Sequence, residues 1–165
     1  MPEKETIQRA QEDAREGKSP STQAGEFVRE EMHHVREGKH GAQSPQQVIA
    51  IGLSKARRAG VKLSPPKKGK ASAKTRRQAS RDLQRGESRR RRGTSSRRSR
   101  ATRGALKREG RQAASRRALS QQARNAARRR SSSSRSQAAR KAARTRVSSR
   151  RRGPRHAPAR RPSSY

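Results

Sequence analysis

Histidine and carboxylate at helical spacing are the first residues of this chain whose types suggest chemistry. In "REEMHHVREGKH", residues 29–40, Glu30 stands four residues before His34, and His33 four before Glu37. Such pairs lie one turn apart on a helix surface and attract each other there. The same side chains can ligate a metal, with His40 close by. The spacing reads as exposed pairs on a helix, and no metal site is expected.

The loop that follows offers cations to an anion. "REGKHGAQSP", residues 36–45, sets Arg36, Lys39 and His40 beside two glycines and just before Ser44. Ser44 opens a helix, and free N–H groups at a helix start favour negative charge. A glycine helix end followed by a polar loop explains the same text and is the preferred reading. "GKHG" lacks the Gly-Lys-Ser/Thr order of a phosphate-binding loop. With no cysteine and no supported Ser–His–Asp arrangement, no nucleophile is activated. Asp82, Glu87 and Glu109 read as isolated acids. No catalytic residue and no cofactor is assigned, and the chain is not expected to be an enzyme.

Arginine is the abundant chemistry. The 165 residues hold 47 Lys plus Arg against 12 Asp plus Glu, a formal charge of +35. Residues 1–64 carry 11 of those cations and 9 of the acids, so residues 65–165 hold a net +33. "SPPKKGK", residues 64–70, marks the switch, where Pro65 and Pro66 stop a helix. Two domains are expected: a helical module over 1–64 and a nucleic-acid-binding tail over 65–165.

Guanidinium forks grip phosphate bidentately, and each docked cation releases counterions from the polyanion. The candidate contacts are Arg76 and Arg77; Arg89, Arg90, Arg91 and Arg92; and Arg97, Arg98 and Arg100. Arg116, Arg117, Arg128, Arg129 and Arg130 follow. Arg140, Lys141, Arg144, Arg146, Arg150, Arg151 and Arg152 complete the set. Base reading needs rigidly held side chains in a groove, so recognition should be sequence-tolerant and salt-sensitive. Stacking platforms for single strands need aromatics, and the tail has only Tyr165. Duplex DNA is therefore the expected partner, with RNA the alternative. A membrane-surface helix would need an apolar face that the tail lacks. Phosphorylation of the Ser-Arg and Arg-Ser serines would remove about two positive charges each.

The elements must position these groups with little apolar material. Only 25% of residues are hydrophobic and 1% aromatic, and such chains cannot offset the entropy of ordering through burial. The expected fold is a small all-α helical hairpin of two to three helices, followed by a largely disordered basic tail with conditional helices. A weakly anchored helix spans 3–16. A second runs from about Thr22 to Glu37, with Ser21 or Thr22 as cap, Gly38 after it, and Ala24, Phe27, Val28, Met32 and Val35 as its stripe. A third opens at Ser44, with Pro45 in its first turn and Gln47 completing a capping box. Its face is Val48, Ile49, Gly52, Leu53 and Ala56; Ser54, Arg57 and Arg58 point away. Gly52 reads as a point of close helix approach. The stripe is short enough that a homodimer through the hairpin, or a partner, is expected to firm it up.

No apolar run nears the roughly 18 residues of a membrane span, and "MPEKETIQRAQEDAREG" has no apolar signal core. A cytoplasmic location on the nucleoid is expected. Within residues 22–63, "QVIAIGLS" (47–54) and "ARRAG" (56–60) resemble a group of small uncharacterised bacterial basic proteins with the text "QAIAIGLSEARRAG". Val48 stands where alanine is usual. The resemblance implies a bacterial source and a helical hairpin, and brings no settled activity. In composition, the tail resembles those of bacterial linker-histone-like proteins and protamines, with arginine in place of the former's lysine. The arginine chemistry of the tail makes a sequence-nonspecific, histone-like DNA-binding protein the expected function. The alternatives are an RNA-binding or ribosome-associated protein, or a partner-binding hairpin on a polycationic tether.

Overall fold

A computed structural model describes residues 2–88 and 95–151, and for 148–151 the backbone alone. Among these residues every regular element is helical. Helix α1 is Lys4–Arg15, α2 Pro20–Arg36, α3 Pro45–Arg58 and α4 Ala73–Glu87. Then come α5 Ser96–Arg108, a 3-10 turn at Gln112–Ala114, α6 Arg116–Arg128 and α7 Ser132–Arg151. The chain divides into two units, Met1–Gln122 and Ala123–Tyr165.

The all-α expectation holds, but the count of helices and the disordered tail need correction: α4 to α7 all lie beyond residue 64. Alanine and arginine are strong helix formers, and Ser72 caps α4 by accepting the Thr75 N–H at 3.1 Å. Local propensity and capping thus build helices where apolar content forecasts coil.

The first unit is organised by α2. Its start is Pro20 behind Ser19, two residues earlier than expected, because proline at the first helical position supplies a ready-made φ. Its end is fixed by Gly38 at φ +78°. There the Lys39 N–H reaches the His34 carbonyl at 2.9 Å and the Gly38 N–H that of Val35 at 3.2 Å. This pair of bonds closes the last turn and needs a left-handed residue, which glycine supplies without strain. At the start of α3, Ser44 Oγ accepts the Gln47 N–H at 3.3 Å. Gln47 Oε1 reaches back to the Gln43 N–H at 2.8 Å, one residue before the helix cap.

Two small cores flank α2. One joins Ala10, Ala24, Phe27, Ala56 and Val61, with Ile7, Leu53 and Leu63 at its edge. The other joins Val35, Ala42 and Val48 to Ala113 and Ala114. Helix α1 is therefore seated: Thr6 and Ala10 are buried and the Glu3 N–H donates to Glu30 Oε1 at 3.2 Å. The stripe expected to dimerise is covered by the chain's own α1 and residues 113–114.

The charge switch at residues 64/65 is not a packing boundary. Helix α4 lies on α3, held by Asp82, which is 2% exposed. Ser54 Oγ donates to Asp82 Oδ2 at 2.7 Å, and Gln78 Nε2 to Oδ1 at 3.1 Å. Asp82 is thus not isolated, and Ser54 faces α4 rather than solvent. Arg57 is buried too, its Nε donating to the Leu63 carbonyl at 3.0 Å. Desolvation draws its guanidinium pKa down, partly offset by Asp82.

Helix α3 crosses α2 at Gly52. A Cβ added there would sit 2.7 Å from Val28 Cα, so the close-approach reading is right. Gly52→Ala should destabilise the chain by about 1–3 kcal/mol, because the two backbones must part. Gly25→Ala, where a Cβ meets nothing within 4 Å, should stabilise it by about 0.5–1 kcal/mol. Urea unfolding followed by far-ultraviolet circular dichroism reads both signs.

Candidate nucleic-acid interface

The cationic side chains are presented by the later helices. Helix α4 carries Arg76, half-buried, and Arg77, exposed. Arg97, Arg98 and Arg100 are exposed on α5, as are Arg116, Arg117 and Arg128 on α6. Arg129 and Arg130 follow α6 in solvent. On α7, Arg140, Lys141, Arg144 and Arg146 are exposed, and Val147 is an exposed large apolar residue at 54%. Arg150 and Arg151 belong to that helix by backbone. Arg89, Arg90, Arg91, Arg92 and Arg152 lie outside the described residues.

At 100° per residue, Arg135 and Arg146 fall on one side of α7 and Arg140, Lys141 and Arg144 on the other. No residue of α7 from Ser132 to Val147 is buried. From Gly110 to Tyr165 the sequence contains no acid.

The four residues of the candidate anion loop point to separate protein groups. Arg36 Nε donates to the Ala114 carbonyl at 3.0 Å. Lys39 Nζ reaches Glu37 at 3.1 Å and Glu3 at 3.2 Å, bonds that raise its ammonium pKa. His40 Nδ1 lies 3.0 Å from the Gly41 carbonyl oxygen, and Ser44 is engaged as the cap. The loop N–H groups of Gly41 and Ala42 are taken by the Leu106 and Gly110 carbonyls, at 2.8 and 3.1 Å. A Cβ at Gly41 would fall 1.8 Å from the Glu109 carbonyl oxygen, so only glycine lets this strand of loop through.

No family model, curated protein or solved structure matches the chain.

Inside the first unit lies a polar cluster that helical spacing alone does not reveal. Glu30 and Glu31 are 5% and 0% exposed. Lys55 Nζ from α3 contacts Glu31 Oε1 and stands 3.7 Å from Glu30 Oε1. His34 Nε2 is 2.9 Å from Glu3 Oε1 and 3.8 Å from Glu30 Oε1, while its Nδ1 is 3.4 Å from Glu31 Oε1. His40 Nε2 is 3.2 Å from Glu31 Oε2. Glu30 Oε2 and Glu31 Oε2 are buried without a hydrogen-bond donor. The Glu30–His34 pair is therefore buried, not exposed; His33 and Glu37 do face solvent. The available signal was Glu31 itself: with Phe27, His34 and Val35 it continues the apolar stripe of α2 at positions i, i+4, i+7 and i+8.

Hydrogen bonds from His34 and then Lys39 hold the Glu3 carboxyl below its usual 4.5. A depressed folded-state pKa adds stability above the unfolded value, lost as pH falls through the folded one. The Tm gap between wild type and Glu3→Gln should thus be constant near neutrality and shrink as pH drops below about 4.5. Thermal melts in a pH series check this.

Proposed function

We propose that this chain binds nucleic acid, duplex DNA above all, through its phosphates and without sequence preference. The observation that carries the reading is an acid-free stretch from Gly110 onward in which α7 holds Arg135, Arg140, Lys141, Arg144 and Arg146 exposed, with no buried residue from Ser132 to Val147. A helix with cations all round suits no folded surface. It suits a major groove, about 12 Å wide with phosphates along both walls. The proposal carries a cytoplasmic, nucleoid-associated, histone-like role with no enzymatic step. It is consistent with the resemblance in residues 22–63 to small bacterial basic proteins. The described residues include no helix long and apolar enough to cross a membrane.

A fluorescent random-sequence duplex titrated with the full chain over a sodium chloride series tests it. Ten engaged cations predict a log Kd against log salt slope of magnitude about 9. The triple change Arg140→Gln, Lys141→Gln, Arg144→Gln should lower that magnitude by about 2–3. AT-rich and GC-rich duplexes should bind alike. A flat salt response defeats the proposal, and a tenfold preference for structured RNA replaces DNA with RNA.

A further inference from the structure

We propose that Glu31, His34 and His40 form a binding site for one divalent first-row cation of the zinc class. One ligand atom from each of the three lies within 4.8 Å of those from the other two. Hydrogen-bond partners fix one ring proton on each histidine. His40 Nδ1 faces the Gly41 carbonyl oxygen at 3.0 Å, and a carbonyl only accepts, so Nδ1 carries the hydrogen. That leaves His40 Nε2, 3.2 Å from Glu31 Oε2, as the nitrogen open to a ligand. His34 repeats the pattern in reverse. Its Nε2 donates to the Glu3 carboxylate at 2.9 Å, leaving Nδ1, 3.4 Å from Glu31 Oε1, open to a ligand.

Two ring nitrogens thus stand within 3.4 Å of one carboxylate that is 0% exposed. A nitrogen lone pair beside a carboxylate oxygen is repelled by it, and a cation between them reverses the sign. Lys55 supplies one positive charge at Oε1, but Glu30 and Glu31 bring two negative charges, and Glu31 Oε2 has no donor. A divalent cation held by Oε2 and the two ring nitrogens gives Oε2 the partner it lacks, while Lys55 keeps the carboxylate oriented. A tetrahedral shell of radius about 2.1 Å sets neighbouring ligands about 3.4 Å apart, close to the 3.2 Å between His40 Nε2 and Glu31 Oε2. Metal-bound histidines are characteristically fixed by a hydrogen bond from the far ring nitrogen to an oxygen, as both rings are here. Two imidazoles and a carboxylate suit zinc-class ions better than calcium or magnesium, which prefer all-oxygen shells. The site ties the loop after α2 to α2 itself, independently of any nucleic acid.

The test uses the full chain, stripped with chelator and titrated with Zn²⁺ against a chromophoric competitor. One equivalent should bind with a Kd of about 1 µM or tighter, and Tm should rise with Zn²⁺. His40→Ala should weaken binding at least tenfold, whereas His33→Ala, changing the exposed neighbour of His34 on α2, should leave it within about threefold. If His40→Ala loses its helical circular dichroism, Co²⁺ added to the wild-type chain decides. A visible band of tetrahedral intensity, bleached by one equivalent of Zn²⁺, supports the site; its absence overturns it. Failure of Zn²⁺ to saturate, or equal loss in His33→Ala and His40→Ala, also overturns it. In that case the two rings are held by protonation instead.

Discussion

A carboxylate at the centre of a packed helix face sets the terms for the first unit. Glu31 has no exposure, and an uncompensated charge in that position is strongly unfavourable. Its neighbours are consequences: Lys55 arrives from α3, His34 from one turn along α2, and His40 from the loop. Glu30 beside it accepts the Glu3 N–H and so ties down the start of α1. Two adjacent acids thus dictate where α1, α3 and the loop must lie. Buried ionic groups contribute little net stability but penalise every arrangement that leaves them unpaired. In this chain they act as registration marks.

Such marks are needed because the apolar material is nearly featureless. Seven of the eleven buried apolar residues among those described are alanines. Alanine faces permit close backbone approach, yet they interlock poorly and tolerate sliding. Phe27, Val35 and Val48 give the cores their shape; Glu31, Asp82 and Arg57 give them their position. The same logic explains Asp82, which Gln78 of its own helix orients and which specifies how α4 sits on α3 through Ser54.

What could be read from the sequence follows this division. Punctuation was legible: Ser44 and Pro45 start α3, and Gly38 closes α2, because caps and left-handed residues act locally. The stripe from Ala24 to Val35 was legible because its period is helical. Contacts made by alanine or by a charged residue were not. Ala79, Ala113 and Ala114 look like any other alanine of a low-complexity tail, and Arg57 like any surface cation, until a partner element arrives. Charge composition changes at residue 64, but packing does not, since α4 carries a basic outer face and a small inner one. For the site, exposure of the basic helices followed from their lack of apolar pattern. The buried carboxylate–histidine cluster needed the loop to fold back, which no spacing rule encodes.

Sequestering the acids has an electrostatic consequence beyond the fold. Nine of the twelve acids lie in residues 1–64, and of the remaining three Asp82 is buried beside Ser54 and Gln78. Arg9, Lys18, Lys39 and Lys55 spend their charge on those N-terminal carboxylates. The later arginines have few acids of their own chain to meet, so their field is not quenched from within. A folded acidic-and-basic module beside an acid-free basic stretch keeps internal neutralisation and external attraction from competing. Had the nine acids been spread evenly along the chain, the same net charge would have given short-range ion pairs, which are worth little in water and shield the arginines from a polyanion.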